Sequence, residues 1–315
     1  MAKICVSGFY GYGNSGDEAI LQAIMDELGW ENEYIVCTSL PYTLHSEYKC
    51  HVPNIEEIRT LYDDRLDYDI YLLGGGALPF GYGWQQVLHA FANNKPCINY
   101  AVGYRTDKFY HTRLDNLIQK FQSFFNRITV RDEYSQNILK AIGIYSTLTM
   151  CPAINLKETK TNCPEGMIAV CPRFEDFDVD DNSEQINWIV NRLKEVTDEV
   201  LLIPFSPRDR EGQLRDLHVC REIAKQLKGS RILETDGYHP RQIKYAISKS
   251  KLVISGGRYH AVLWAIAHDI PYEVTPVKYP KLQYLINMHK KYGRDNLLTM
   301  ERENVKIFKE VLEYG

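Results

Sequence analysis

An arginine and a histidine two residues apart form the part of the sequence best suited to chemistry. Arg258 and His260 lie in the segment SGGRYHA, residues 255–261, after a β-rich run and at the start of an apolar stretch. This is the pattern of a helix start, where backbone N–H groups, a guanidinium and an imidazole can meet the same anion. Gly257 and the glycine before it leave the approach open. The pattern favours an anion-binding site, although a lone histidine is more often structural.

Further cations follow strand-like runs in the same half of the chain. Arg173 ends the run MIAVCPR, and its planar guanidinium matches a carboxylate or a phosphate through two hydrogen bonds. Lys278 and Lys281 follow the run PYEVTP. We expect Lys281 to complete a positive pocket with the arginines. For each of these residues the alternative is an ordinary solvent-exposed side chain.

The first half carries a glycine-rich turn, GFYGYGNSGDE at residues 8–18, directly after a strand-like run. It fits the pattern GxGxxG, but residues 37–40, CTSL, offer no acid to hold a ribose, which argues against a nicotinamide cofactor. Asn14, Asp17 and Glu18 suit hydrogen bonding to sugar hydroxyls. The alternatives are that they hold the loop in shape, or that the acids are first-turn charges favoured by the helix dipole.

Two other strand ends in the first half are candidates for substrate binding. Gly74, Gly75 and Gly76 end the run IYLLGGG, where missing side chains admit a ligand, a neighbouring domain or only a tight turn. Arg131, in the segment RITVRD, either reaches the binding site or pairs with Asp132.

These candidates require elements that bring them together. Short β-rich runs alternate with amphipathic segments, such as residues 183–196, which is typical of βα units around a parallel sheet. The runs are KICVSGF, EYIVCTSL, IYLLGGG, CINYAVG and RITVRD in the first half, and MIAVCPR, EVLLIPF, SRILETD, KLVISGG and PYEVTP in the second. We therefore expect an α/β fold with two Rossmann-like, doubly wound parallel-sheet domains facing a cleft. Ligands should lie at the carboxyl ends of the strands.

The domain boundary is predicted within residues 151–166, which contain prolines and polar residues without apolar periodicity. The first domain would then span 1–155 and the second 165–284. Residues 285–315 have a helical pattern and no strand partner. By analogy with other two-lobed enzymes, we expect this tail to pack on the first domain.

Composition narrows the class of protein. The 315 residues include 37 basic and 41 acidic ones without a long run of either sign, so nucleic acid is disfavoured as the main partner. The first residues do not resemble a secretory signal, and no apolar run is long enough to span a membrane, which predicts a cytoplasmic protein. The 8 cysteines form no CxxC pair, which favours reduced core thiols over a disulfide or zinc site.

Taken together, these motifs resemble those of the polysaccharide pyruvyl transferase family. Its members combine a GN-x-GDE turn and a GGG strand end with VRD, PR and R-x-HA motifs, and the matching segments occur here in order between Gly8 and Lys281. Two positions differ from the usual family pattern. Cys151 stands before Pro-Ala where aspartate is common, and Tyr259 replaces a leucine.

The resemblance implies a fold similar to the glycosyltransferase-B architecture. It also implies a transferase that moves the pyruvyl group of phosphoenolpyruvate, without cofactor or metal, onto a sugar of a cell-surface polysaccharide precursor. Arg173, Arg258 and Lys281 would bind the donor, and His260 would act as general acid or as a phosphate-binding imidazolium. The saccharide acceptor would lie against the first domain. A lipid-linked acceptor would place the enzyme beside the inner face of the membrane.

Two other functions stay open at this point. A glycosyltransferase using a nucleotide sugar would share both domains and the cationic pocket, and it would need a glutamate for the ribose, for which Glu234 is a weak candidate. A non-catalytic sugar- or anion-binding protein would use Arg173, Arg258 and His260 only to hold a ligand.

Overall fold

The computed structural model describes residues 1–38, 55–60, 67–79, 82–105, 120–174, 179–196, 199–206, 215–233, 239–276 and 279–314. The strands are β1 (Lys3–Ser7), β2 (Glu33–Thr38), β3 (Ile55–Thr60), β4 (Ile70–Gly74), β5 (Ala77–Pro79), β6 (Cys97–Arg105), β7 (Arg127–Val130), β8 (Thr147–Leu148), β9 (Met167–Cys171), β10 (Val200–Leu202), β11 (Arg231–Ile232), β12 (Ser250–Ser255) and β13 (Tyr272–Val274). The α-helices are α1 (Ser15–Leu28), α2 (Trp84–Ala92), α3 (Glu133–Ala141), α4 (Val179–Leu193), α5 (Asp216–Gln226), α6 (Pro240–Ser248), α7 (Tyr259–Ala267), α8 (Pro280–Tyr292) and α9 (Arg294–Tyr314).

The described strands form two parallel sheets. The first has the order β3-β2-β1-β4-β6-β7-β8, with β5 paired to β6, and the second has the order β11-β10-β9-β12-β13. In each sheet the chain starts at a central strand, winds to one edge, returns to the centre and winds to the other edge. Strands β1, β4 and β9 are almost wholly buried, as expected for parallel strands covered on both faces. The predicted doubly wound α/β fold is confirmed.

Three strands were not predicted, and each has a weak sequence signal. β3 has the sequence IEEIRT, in which three of six residues are charged, and it lies at an edge of the first sheet. β5 and β8 are only 3 and 2 residues long. Short or edge strands contribute few buried apolar side chains, so their sequences resemble loops.

Contacts within the chain define two units. The N-terminal unit comprises Met1–Tyr12, Ile20–Asn155 and Lys290–Gly315, and the C-terminal unit comprises Gly13–Ala19 and Leu156–His289. The first turn of α1 therefore groups with the C-terminal unit. One contact responsible is the hydrogen bond from the Ser15 N–H to the Phe205 carbonyl, 2.8 Å long. Such a contact between distant segments leaves no local trace in the sequence.

In the N-terminal unit, α9 is fixed by buried polar contacts. The Asn304 side chain accepts a hydrogen bond from the Thr129 hydroxyl (2.9 Å) and donates one to the Met150 carbonyl (3.0 Å). A fully buried amide is stable only when its hydrogen bonds are satisfied in this way. The helical tail thus contributes to the core of this unit.

In the C-terminal unit, α7 is buried along its whole length. The Trp264 ring stacks on Phe205 with the ring centroids 5.5 Å apart. Burial inside the unit accounts for the apolar character of α7. No described helix is long and apolar enough to cross a membrane.

Candidate functional site

The centre of the second sheet contains the point where the winding direction reverses. β9 and β12 are neighbours there, with Cys171 and Ser255 as register partners at their ends. Ligands of doubly wound folds bind at such switch points, because the loops diverge and leave a crevice beyond the strands. Arg173 follows β9 and Arg258 follows β12, so the fold brings two of the predicted cations to neighbouring strand ends.

The glycine pair after β12 packs against the segment that carries Arg173. A β-carbon on Gly256 would lie 3.0 Å from the Arg173 backbone nitrogen, and one on Gly257 would overlap the Tyr279 ring. Gly257 also has a φ of 98°, which L side chains rarely adopt. The Arg173 guanidinium carbon lies 4.2 Å from the centroid of the same Tyr279 ring. Glycine at these positions therefore allows the close packing that holds Arg173.

The backbone of Arg173 is fixed by Gln185 of α4. The Gln185 side-chain carbonyl accepts the Arg173 N–H (2.9 Å), and its amide donates to the Arg173 carbonyl (3.0 Å). Gln185 is 1% exposed, so water does not compete for these bonds. With the backbone held twice and the guanidinium stacked on Tyr279, Arg173 has a defined orientation.

The carboxylate of Asp216, at the start of α5, is fully buried and accepts four hydrogen bonds. Oδ1 accepts from the Phe174 N–H (2.9 Å) and from Nη2 of Arg258. Oδ2 accepts from the N–H groups of Phe205 (3.1 Å) and Ser206 (2.8 Å). A buried carboxylate needs such partners to offset its lost hydration. The segments after β9, β10 and β12 are thus tied to one group.

Arg258 is held at both its backbone and its side chain. The Ser255 hydroxyl accepts the Arg258 N–H (2.9 Å) and donates to the Arg258 carbonyl (3.1 Å). Nε donates to the Pro172 carbonyl (3.4 Å) and Nη2 to Asp216. Nη1 makes no hydrogen bond with any residue that the structure describes. The hydrogen bonds of Nε and Nη2, along one edge of the planar group, therefore fix the orientation of the guanidinium.

Arg258 is also the N-cap residue, immediately before the first residue of α7. Its backbone is extended, and no side chain caps the helix there. The first turn of a helix concentrates N–H groups and carries the positive end of the helix dipole. The start of α7 therefore adds to the positive potential at this switch point.

His260, the second residue of α7, is only 7% exposed and its ring is enclosed. The Tyr259 ring meets it edge-on with centroids 5.2 Å apart, and the Trp264 ring lies 6.1 Å away. A β-carbon on Gly16 would overlap Nδ1 of the imidazole. The glycine of the GN-x-GDE turn thus leaves the space that the histidine ring occupies.

The same turn is shaped by Asn14, which caps α1. Its side-chain oxygen accepts the Gly16 N–H (3.1 Å), and its amide donates to the Asp17 carboxylate (2.7 Å). Asp17 is 8% exposed and Glu18 is fully buried in the first turn of the helix. These contacts fit the interpretation that the polar residues hold the loop in shape. Sugar binding by Asn14, Asp17 and Glu18 stays a prediction.

Tyr279 also lines a cavity of about 400 Å³ in the C-terminal unit. Most of the other lining residues are apolar, among them Val274, Leu282 and Ile286. This volume lies within the range of small-molecule pockets. Lys281 lies two residues after Tyr279, in the first turn of α8, and is half-buried. Lys278 lies outside the described residues.

The triple glycine of the N-terminal unit forms a turn after β4. Gly75 and Gly76 have φ values of 97° and 73°. The Tyr10 hydroxyl donates to the Gly74 carbonyl (2.8 Å), and a β-carbon on Gly75 would overlap the Tyr10 ring. Tyr10 therefore fills the space beside Gly75. This arrangement fits the tight-turn interpretation, and substrate contact by these glycines stays a prediction.

Arg131 lies at the end of β7 in the N-terminal unit and is 2% exposed. Its Nε is 3.8 Å from the Asp132 carboxylate, and a β-carbon on Gly103 would lie 2.5 Å from the same nitrogen. Asp132 also caps α3 by accepting the Ser135 N–H (2.7 Å). Of the two predicted roles for Arg131, the structure displays the pairing with Asp132. A role in substrate binding stays a prediction.

Cys171 is the last residue of β9 in the C-terminal unit, two residues before Arg173. Burial raises the pKa of its thiol well above the ordinary range, although the Arg258 charge lowers it. The thiol is therefore neutral at physiological pH and is unsuited to act as a nucleophile. No disulfide joins the cysteines that the structure describes.

Sequence reasoning missed three residues of this site: Asp216, Gln185 and Tyr279. Asp216 is a first-turn helix acid, and most such residues in a sequence are solvent-exposed charges. Gln185 lies in the middle of a helix, and Tyr279 is one of 22 tyrosines. Two of the groups that Asp216 holds, Phe174 and Arg258, each lie 42 residues away in the chain, so no local pattern reveals its role.

Two doubly wound parallel sheets with binding features at strand ends define an α/β fold of the glycosyltransferase-B kind. Solved structures share this fold. UDP-N-acetylglucosamine 2-epimerase from Neisseria meningitidis, bound to UDP-N-acetylglucosamine, aligns over 100% of both chains with a TM-score of 0.60 and 11% identity. The same enzyme from Rickettsia bellii covers 100% of this chain and 97% of its own (0.58, 12%). A glycosyltransferase from Rickettsia africae covers 99% of each chain (0.54, 12%).

The sequence profile of one family matches residues 14–271. This chain therefore belongs to the polysaccharide pyruvyl transferase family. The matched region begins at the GN-x-GDE turn and extends past the R-x-HA motif, so it includes every residue of the C-terminal site except Tyr279 and Lys281. No curated protein sequence matches this chain. Membership in the family identifies the protein as a transferase.

Proposed function

We propose that this transferase moves the pyruvyl group of phosphoenolpyruvate onto a sugar of a polysaccharide as a ketal and releases phosphate. The observation that carries the proposal is the position of Arg173, Arg258 and His260 around the ends of β9 and β12. Family membership supports transfer to a polysaccharide. The choice of donor rests on the chemistry of this site.

Phosphoenolpyruvate carries a phosphate and a carboxylate on a three-carbon frame, so its binding site needs several cations in fixed positions. Arg173 and Arg258 supply two guanidinium groups: that of Arg173 lies on the Tyr279 ring, and that of Arg258 is hydrogen-bonded to the buried carboxylate of Asp216. Stacking on Tyr279 engages the face of the Arg173 guanidinium, whereas anions bind the N–H groups in its plane. The start of α7 adds backbone N–H groups. Lys281 is a further candidate from the same unit.

Ketal formation requires proton transfer at carbon. The donor methylene carbon gains a proton, one sugar hydroxyl oxygen bonds to the adjacent carbon, and a second hydroxyl oxygen then displaces phosphate from that carbon. One hydroxyl proton restores the acid that protonated the methylene carbon, and the other leaves with the phosphate. His260 is the proposed acid, because an imidazole exchanges protons near neutral pH. Its enclosure by Gly16, Tyr259 and Trp264 would fix the direction of transfer.

For the acceptor we propose Asn14, Asp17 and Glu18, whose amide and carboxylate groups suit neighbouring sugar hydroxyls. Asn14 and Asp17 are bonded to each other in this structure, so acceptor binding would exchange that bond for bonds to the sugar. A lipid-linked acceptor would bring a cytoplasmic enzyme to the inner face of the membrane.

A second candidate is a glycosyltransferase that uses a nucleotide sugar. The observation in its favour is the fold shared with proteins such as the meningococcal epimerase, solved with UDP-N-acetylglucosamine. The proposed ribose-binding residue, Glu234, lies outside the described residues. The cationic site alone would serve either donor, so the experiment has to compare them.

The test is a phosphate-release assay. The protein is incubated with phosphoenolpyruvate and a panel of nitrophenyl and lipid-linked sugars, and in parallel with UDP-sugars and the same acceptors. We expect acceptor-dependent phosphate release and a product heavier by a ketal-linked pyruvyl group in mass spectrometry. Transfer from UDP-sugars alone would overturn the proposal in favour of a glycosyltransferase. Binding of phosphoenolpyruvate without turnover of any acceptor would favour a non-catalytic binding protein.

A further inference from the structure

Asp216 is the buried charge around which the C-terminal site is assembled. Its carboxylate is fully buried and accepts N–H groups from Phe174, Phe205 and Ser206 together with Nη2 of Arg258. The three backbone donors belong to the segments that follow β9 and β10. A group placed only to satisfy those amides would not need the fourth partner.

The fourth partner determines the orientation of the guanidinium. Nη2 is held by Asp216 and Nε by the Pro172 carbonyl, which together fix one edge of the planar group. Nη1 is not engaged by any residue within the described ranges. This is the arrangement expected when a carboxylate directs an arginine toward a ligand.

We propose that Asp216 is the positioning residue of the donor site: it orients Arg258 for the anionic group of the donor and does not touch the donor itself. The proposal rests on the proposed function, because it takes the ligand to be an anion bound at this switch point. Asp216 also cancels the Arg258 charge, so net attraction of the donor falls to Arg173, Lys281 and the start of α7. Arg258 then fixes the position of the anionic group of the donor more than it adds to the net positive charge of the site.

The chemistry of the carboxylate predicts what Asp216→Asn does. Asp216 accepts at both oxygens, whereas an amide has one accepting oxygen and one NH₂ group. Either orientation of asparagine places two N–H donors opposite existing donors. With the NH₂ group at the Oδ1 position, Arg258 and the Phe174 N–H lose their acceptor, and with it at the Oδ2 position the N–H groups of Phe205 and Ser206 lose theirs. In either orientation Arg258 loses its charge-assisted hydrogen bond to a carboxylate.

The test is a double-mutant cycle measured with inorganic phosphate as the probe. Its corners are wild type, Asp216→Asn, Arg258→Gln and the double variant, with Kd from isothermal titration calorimetry. We expect each single variant to weaken phosphate binding by about 10-fold or more, the effect of losing one charge-assisted hydrogen bond. If Asp216 acts through Arg258, the double variant binds no more weakly than Arg258→Gln. Glu222→Gln changes a half-buried carboxylate on the same helix that pairs with Lys225; it is the matched control and should bind like wild type.

Hydrogen exchange separates positioning from a structural role. Arg258→Gln should keep the amides of Phe174, Phe205 and Ser206 protected, because Asp216 still accepts them, and yet lose phosphate affinity. Should Asp216→Asn fail to fold, Asp216→Glu replaces it, and its displaced carboxylate should weaken binding in the same coupled manner. Additive losses in the cycle, or wild-type affinity in the Asp216 variant, would overturn the proposal. A coupled cycle in a protein that never turns over phosphoenolpyruvate would refute the proposed donor and leave the positioning role intact.

Discussion

The N-terminal and C-terminal units each contain a glycine with a positive φ that lies against a tyrosine ring, but the two rings have different roles. After β4, Gly75 has a φ of 97° and lies against the ring of Tyr10, and after β12, Gly257 has a φ of 98° and lies against the ring of Tyr279. The Tyr10 hydroxyl donates to the Gly74 carbonyl, so that ring serves internal packing. The Tyr279 ring carries the guanidinium of Arg173. Equivalent positions in two similar folds therefore provide packing in one unit and a cationic site in the other.

The buried carboxyl groups of the two units also differ in their surroundings. Asp216 of the C-terminal unit accepts four hydrogen bonds. The carboxyl oxygens of Glu27 in the N-terminal unit are buried near the carboxyl of Glu301, and this burial, followed by the neighbouring acid, raises the pKa of Glu27 well above its ordinary range. The Asp216 carboxylate is thus surrounded by N–H donors, whereas the Glu27 carboxyl lies beside another acid, which favours its neutral form.

Replacing the proposed acid should give the largest effect. We expect His260→Gln to lower kcat by about 10²- to 10⁴-fold, the usual contribution of a general acid. The matched control is His89→Gln in the N-terminal unit, which removes a half-buried histidine bonded to Tyr68 and should keep kcat near wild type. Rates of phosphate release from phosphoenolpyruvate give both values. An equal loss of kcat in the two variants would contradict the functional distinction between the units.

Gly16→Ala tests whether the missing side chain at this position is needed to make room for the His260 ring. Alanine is a better helix former than glycine, so α1 itself should not weaken. The new β-carbon would displace the imidazole, and a shift of about 1 Å at a catalytic group can cost about 10²-fold in rate. We expect a loss of kcat of that order with a circular dichroism spectrum like that of wild type. A fully active variant would show that the position of the imidazole is unimportant.

The two glycines with matching φ values offer a direct comparison. Gly257→Ala and Gly75→Ala should each destabilise the fold by about 1–3 kcal/mol, because both force a side chain into the left-handed region against a tyrosine ring. Only Gly257→Ala should also raise the Kd for phosphoenolpyruvate, since it disturbs the support of Arg173. Urea unfolding and calorimetric titration measure the two quantities. A matching loss of affinity in Gly75→Ala would contradict the division of roles.

The smallest effect expected is a change in the pH dependence of stability. With its pKa raised in the folded state, Glu27 keeps its proton while the unfolded chain releases it, so its contribution to stability falls as the pH rises above the ordinary glutamate range. Glu27→Gln removes this loss, and its melting temperature should exceed that of wild type by a few degrees at pH 8 and by less at pH 4.5. Thermal melts across this range test the sign. A lower melting temperature at pH 8 would mean that the ionised carboxylate is stabilising.

Local patterns predicted the strand ends and most of the cations. Arg173, Gly257, Arg258 and His260 follow apolar runs whose type is readable from neighbouring residues, and the fold brings them to one switch point because parallel strands end on the same side. The apposition of Gly16 and His260 was not predictable, because it joins segments far apart in the chain. The role of Asp216 was hidden for the same reason.

The N-terminal motifs illustrate the limit of motif reading. Gly74, Gly75 and Gly76 indicate either a ligand-binding strand end or a tight turn in sequence, and only the structure shows that Tyr10 lies in the space beside Gly75. Cys151, at the position where the family commonly has aspartate, is buried and contributes to raising the pKa of Glu27. An aspartate there would add a further carboxyl to a region that already holds Glu27 and Glu301.

Hydrogen–deuterium exchange with and without phosphoenolpyruvate shows where the donor binds, because it locates the donor without assuming a reaction. We expect the donor to slow exchange in residues 172–174 and 256–261. Arg173→Ala should abolish this protection, whereas Arg127→Ala, which changes an exposed arginine of the N-terminal unit, should leave it unchanged. Protection confined to residues 8–12 and 74–76, after β1 and β4, would contradict this expectation.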